Sequence, residues 1–243
     1  LLLGVSGLLP AEPTRRGPAT DGYLRKTWDR WWRERDGCEA SILPRSLWRL
    51  QGLRPANHPH RRLALAAHWL ADAGLIDRLE AWFAYAVRNL EANDRPNRTR
   101  LADDLFLGLN PANDDFWSRH WTLRSKPMSQ PQPLLGHTRV TDLAVNVILP
   151  WFFTRAGEGR NGGFQKAAER LWFDWPCAED NAVLRQARAR LLGNAHRGVL
   201  RSAAEQQGLL QIVRDFCDHS NSVCEDCRFP GLVAGWQPAS DGC

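Results

Sequence analysis

Three of the chain's six cysteines fall in Cys217-x6-Cys224-x2-Cys227, within the run FCDHSNSVCEDC. Thiolates at this spacing can converge on one soft metal ion or one iron–sulfur cluster, the first from a helix end and the other two from a tight turn. Zinc is the expected cofactor, with an iron–sulfur cluster as the alternative. A fourth ligand is required, and Cys243, His219 and Cys177 are the candidates. Cys243 is favoured because the tail RFPGLVAGWQPASDGC is long enough to fold back. The competing reading is a group of unliganded thiols, buried as small hydrophobes.

The second chemically loaded stretch is Arg54-Pro-Ala-Asn-His-Pro-His60-Arg61-Arg62. Guanidinium and imidazole groups on a proline-stiffened turn, just before a helix start, could cradle a phosphate. Arg54, His60, Arg61 and Arg62 are therefore the candidate nucleic-acid contacts. The competing reading pairs Arg54 and Arg61 with acids and makes Asn57 a turn cap. Trp117-Ser-Arg-His120-Trp121 and the Trp28, Trp31, Trp32 group mix aromatics with cations. Stacking on bases is one use for them, and core packing is the commoner one. Asp103-Asp104 and Asp114-Asp115 could hold a divalent ion, but adjacent acids usually face water. No nucleophile elbow, phosphate loop or His-x-x-Glu-type metal motif is present.

These residues must be carried by helices, because the apolar periodicity is helical nearly throughout and no alternating strand pattern or repeat stands out. Leu24, Trp28 and Trp31 mark one helix, which Gly37 stops. A short helix is expected around Ser46–Gln51. From His60 to Ala73 the pattern runs through Leu63, Ala66, Ala67 and Leu70, and from Ile76 to Leu90 through Leu79, Trp82, Phe83, Ala86 and Leu90. The short connection between these two predicts an antiparallel hairpin. Thr99 suits a cap for LADDLFLGL, and Thr138 one for a helix through Val140, Leu143, Val147 and Ile148 that Pro150 ends or kinks. Later helices are predicted at about 164–173, 179–192 and 202–217. The last opens on the capping box Ser202-x-x-Glu205 and buries Leu209, Leu210, Val213 and Phe216. Proline-rich KPMSQPQPLLG at 126–136 is the best internal boundary, dividing a lobe at 1–125 from one at 137–243, although a single domain is also compatible.

A chain of 243 residues can bury a substantial core. With 43% hydrophobic and 24% charged residues it has an ordinary globular composition. No stretch reaches the roughly 20 apolar residues of a membrane span, so no membrane partner is expected. The apolar opening LLLGVSGLLP has neither a starting Met nor a basic leader, and reads as the interior of a longer protein with a further domain upstream. The net charge of +5 and pI near 9.1 permit a polyanionic partner. The cysteines do not fall in regular pairs, which points to a reducing cytoplasm rather than a disulfide framework.

The cysteine spacing resembles the iron–sulfur loop of the endonuclease III type of DNA glycosylase, but Val233 stands where that loop has its fourth cysteine. A broader resemblance rests on GVSGLLP at 4–10, LRPANHPHRRLALAA at 53–67, DDFWSRHWTL at 114–123, GHTRVTDLAVNVILPWFF at 136–153, AEDNAV at 178–183 and QQGLLQIVRDFC…C..C at 206–227. In that order they are similar to the C-terminal part of the bacterial family called domain of unknown function 2851. The resemblance implies a missing upstream half and brings no established activity. Its terminal cysteines look similarly spaced, whereas a fourth at Cys243 or Cys177 is not part of it.

The expected molecule is an all-α, multi-helix bundle with a C-terminal cysteine-rich metal knuckle. Its expected role is a metal-stapled binding module of a larger protein, with nucleic acid the favoured partner. The alternatives are an accessory part of a nucleic-acid-processing enzyme whose catalytic half lies upstream, and a structural or protein-interaction domain. The sequence leaves open whether any reaction takes place in these residues.

Overall fold

A computed structural model of the chain describes residues 1–11, 17–90, 95–112, 114–193, 199–218 and 224–236. Among them are eleven α-helices and no strand, only an isolated bridge between Pro176 and Ser202. No described helix is long and apolar enough to cross a membrane. The chain divides into two compact units, Leu1–Tyr85 with Asp103–His137 and Ala86–Ala102 with Thr138–Cys243. The proline-rich stretch 126–136 thus belongs to the first unit.

In the first unit, α1 (Leu2–Val5) precedes α2 (Pro18–Glu34), which starts on Pro18 and buries Thr20, Leu24 and Trp31 at helical spacing. Gly4 lies so close to the Trp31 ring that a Cβ there would overlap it. Gly7, at φ +67°, turns the chain in the left-handed region and passes against Leu43 O. One-turn 3₁₀ segments, including Arg45–Leu47 and Pro55–Asn57, lead into α3 (Pro59–Ala71). The short helix expected around Ser46–Gln51 is reduced to the first of these.

The buried face of α3 is not the expected one. It buries His60, Arg61, Ala64 and Leu65, whereas Leu70 is 78% exposed. Its main helical neighbour is α1 rather than α4 (Leu75–Arg88), so the predicted hairpin is not the principal packing. On α4 the predicted stripe is present, with Leu79, Trp82, Phe83 and Ala86 buried. Helix α5 (Arg95–Leu109) begins before Thr99, which sits inside it rather than capping it. The border between the units falls within α4 and α5. No helix then occurs among the described residues from Asn110 to Gly136.

In the second unit, α6 (His137–Leu143) passes through a π-helical turn at Ala144–Ile148 directly into α7 (Leu149–Glu158). Pro150 therefore neither ends the helix nor breaks it, because the wider turn absorbs its missing N–H. The residue five on from Val145 is Pro150, which has no proton to give. Trp172 Nε1 donates to Val145 O at 2.8 Å instead. The Thr138 hydroxyl donates to Glu179 rather than capping α6.

Helix α7 packs along α8 (Gly162–Asp174), and α8 and α9 (Ala182–Leu192) both pack on α10 (Ala203–Phe216). Asn161 and Asn181 cap α8 and α9 through their side chains, and the Ser202–Glu205 capping box is formed at α10. Leu184, Ala187 and Leu209 form a buried cluster flanked by Leu210 and Val213. A short α11 (Phe229–Gly235) follows the 3₁₀ turn Cys224–Asp226.

Candidate functional site

The irregular segment after α5 creates a hydrogen-bonding problem, because carbonyls buried without helix or strand partners need donors from elsewhere. Arg61 supplies them. Its side chain, 1% exposed, reaches out from the first turn of α3. Nη1 donates to Trp117 O and to His120 O at 3.2 Å, and Nη2 to Pro133 O at 2.8 Å and Gln132 O at 3.4 Å. The guanidinium carbon lies 4.6 Å from the centre of the Trp121 ring. Burial lowers the Arg61 pKa to about 10, chiefly through desolvation and then through Arg62, which still leaves it a cation at neutral pH.

Neighbouring groups extend the fastening. Arg62 donates to Leu134 O at 2.9 Å and to Asn57 Oδ1 at 2.7 Å. Asn110 pairs with both backbone groups of Leu135. Asp114 accepts from the Phe116 and Trp117 amides and lies 2.7 Å from His68 Nε2. The first Asp of that acidic pair is therefore a turn cap rather than a water-facing group.

This corrects the reading of Arg61 as a phosphate contact, because its η donors are spent on backbone carbonyls inside the unit. The alternative that paired Arg61 with acids does not hold either. Arg62 is half-buried and has its own partners, while Arg54 is exposed at the surface. Trp117 is 1% exposed and donates to Tyr23 Oη at 2.8 Å, so it packs inside and does not stack on bases.

What remains open to solvent is a cavity of about 550 Å³ lined by Leu8, Arg45, His58, His60, Thr122 and Arg124 among others. Besides Leu8, Pro10 and Ala11, its walls come from two stretches without acidic residues, Ala40–Ala71 and Phe116–Thr141. Arg61 fastens the first to the second. Arg45, Arg49, Arg54, Arg119, Arg124 and Lys126 on these stretches are exposed and make them basic, and Arg45 and Arg124 line the cavity. The prolines at 55 and 59 set a tight path through His58. The His58 and His60 rings consequently stack at 4.8 Å, with their Nδ1 atoms 3.0 Å apart. His60, 5% exposed, directs Nε2 to Leu8 O at 3.3 Å. Desolvation lowers the His58 pKa from its usual value of 6.5. Arg45, His58 and Arg124 were not singled out from the sequence. The run of arginines and histidines without an intervening acid is the signal that could have found them.

At the other end of the chain, Cys217 caps α10, and Cys224 and Cys227 flank one turn in which the Cys227 amide donates to Cys224 O. The Phe216 and Phe229 rings, 5.3 Å apart, hold α11 against the end of α10. Cys38, Cys177, Cys217, Cys224 and Cys227 are thiols rather than disulfides. No set of three metal-ligating side chains converges among the described residues, and His219 and Cys243 lie outside those residues. Cys177 is exposed, with Sγ 3.5 Å from Leu200 O, and desolvation followed by the charge of Glu205 raises its pKa.

A family model described as "Protein of unknown function (DUF2851)" matches residues 1–181. The match includes the basic region and stops short of the cysteine cluster. No curated protein and no solved structure matches the chain.

Proposed function

The chain belongs to the DUF2851 family, and we propose that its first unit is a binding module for polyanions, nucleic acid foremost. The observation that carries this reading is the joining of two acid-free stretches by Arg61, with Arg45 and Arg124 lining one cavity and Arg49 and Arg54 exposed on the first stretch. Scattered surface cations would be interleaved with acids and largely cancelled, whereas a region of one sign attracts phosphates and releases their counterions. The nucleic-acid contacts are therefore reassigned from His60, Arg61 and Arg62 to the exposed arginines, with Arg54 retained.

The test is the salt dependence of binding to a short oligonucleotide. Changing Arg45, Arg49, Arg54 and Arg124 together to Gln lowers the slope of log K against log salt by about 3 if each contacts a phosphate. Lys166→Gln, on the second unit, leaves it unchanged. A quadruple variant that binds with the parent slope overturns the reading.

For the cysteine cluster the reading is a structural zinc ion, or an iron–sulfur cluster, held by Cys217, Cys224, Cys227 and Cys243. Support comes from the position of Cys217 at a helix end and of Cys224 and Cys227 on one turn. Leu232, Val233 and Trp236 on and just after α11 are exposed, so metal binding would contribute to the folding of this segment. Elemental analysis of the purified chain tests this. About one zinc per chain, lost in Cys224→Ser, is the expected result, and a metal-free thiol protein sinks it.

A further inference from the structure

The hydrogen bonds of the two histidines in the first unit's cavity determine their protonation. Leu8 O can only accept, so His60 must carry its proton on Nε2. With both rings uncharged, that tautomer leaves His60 Nδ1 as a lone pair. That lone pair accepts from Nδ1–H of His58 across 3.0 Å. His58 is thus held in the tautomer with its proton on Nδ1, and its Nε2 presents a lone pair with no partner among the described residues. A proton can be added at Nε2 without disturbing any bond in the chain Leu8–His60–His58. His60 could take one only by giving up its role as acceptor.

Besides His58, the charged or titratable described residues lining the cavity are His60 on α3, Arg45 on the 3₁₀ turn and Arg124 on the irregular segment. No carboxylate lines it among the described residues. Burial disfavours a charge on His58. An anion between Arg45 and Arg124 favours one.

We propose that this cavity is a site for a terminal phosphate group, gripped by Arg45 and Arg124, and that His58 takes up a proton at Nε2 as the phosphate binds. The inference rests on the polyanion reading above and narrows it to the end of a phosphorylated ligand. A terminal phosphate has its second pKa near 6, so near neutral pH it brings close to two negative charges and three acceptor oxygens. A backbone phosphodiester brings one charge. The volume of about 550 Å³ admits a nucleotide-sized group. The source of the phosphate is either free inorganic phosphate or the end of a nucleic-acid strand, which share this chemistry.

Calorimetric titration of the full chain with inorganic phosphate, and with a short strand carrying either a 5′-phosphate or a 5′-hydroxyl, tests the proposal. Two buffers of different ionisation enthalpy are used between about pH 6 and 8. Phosphate and the phosphorylated strand are expected to bind with net proton uptake, the phosphorylated strand at least tenfold more tightly than its hydroxyl counterpart. Arg45→Gln and Arg124→Gln, both at exposed positions, each weaken binding about tenfold, the loss of one charge-assisted contact. His58→Gln abolishes the proton uptake.

Equal affinity for the two strands overturns the terminal-phosphate site and leaves the nucleic-acid reading standing. Binding of inorganic phosphate without either strand supports the site and removes nucleic acid as the source. Phosphate binding that none of the three variants alters places the anion elsewhere and overturns the proposal. Absence of any binding overturns both readings.

Discussion

The second unit and the irregular part of the first solve one problem in opposite ways. From His137 to Phe216 most backbone groups are paired within successive helices, and the ends are closed locally by Asn161, Asn181 and the Ser202–Glu205 box. Between Asn110 and Gly136 the described chain has no helix to pair with, and its carbonyls are gathered by side chains from far away in sequence, above all Arg61. In the helical case stability is spread over many small local contributions. In the irregular case it is concentrated on one buried cation, with four carbonyls depending on a single side chain.

The largest test of this contrast is Arg61→Met. It strips donors from four carbonyls and is expected to cost on the order of 4 kcal/mol. Denaturant unfolding followed by tryptophan fluorescence reads the loss. Arg61→Lys recovers only part of it, because an ammonium lacks the planar fork that reaches both pairs of carbonyls. A Met variant with the parent midpoint would break the comparison.

Next in size is a pair on α3. Leu65→Ala, which opens a hole in a buried site, costs about 3 kcal/mol, whereas Leu70→Ser on the open face stays within about 0.5 kcal/mol. Equal losses would mean that the helix does not present the face described. For the helical unit, Ser202→Ala removes half of a capping box and costs about 1 kcal/mol by thermal or denaturant unfolding. A loss there as large as that from Arg61→Met would contradict the distributed picture.

The smallest effect is on pH dependence. The folded pKa of His58 is lowered, so the unfolded chain takes up that proton first as the pH falls. The stability linked to His58 is present above about pH 6.5 and is lost as the pH drops through the folded value. His58→Gln should flatten the acid side of the stability curve, and a steeper acid side would show the sign to be wrong.

How much was legible in the sequence follows the same division. The α4 stripe Leu79, Trp82, Phe83 and Ala86 and the box at Ser202 were readable because their partners lie within one or two turns. The buried face of α3 was misread, because Leu63 and Leu70 look like a core stripe and a doubled arginine looks like surface. The burial of Arg61 depends on carbonyls more than fifty residues away, which no local pattern reports. The candidate site was legible in its chemistry and not in its placement. The basic loop was the right neighbourhood, but the inward-facing residues were chosen ahead of Arg45, His58 and Arg124.

By itself the sequence determined the helical class and the capping box of α10, because these arise from interactions a few residues apart. It also determined the long intervals free of acids, since charge is a property of composition. Only the tertiary structure decided which arginine is buried and which is offered to solvent, because desolvating a guanidinium is tolerable only where distant carbonyls converge on it. The same convergence leaves Arg45 and Arg124 lining one cavity with two histidines whose protons are placed by a single carbonyl of Leu8.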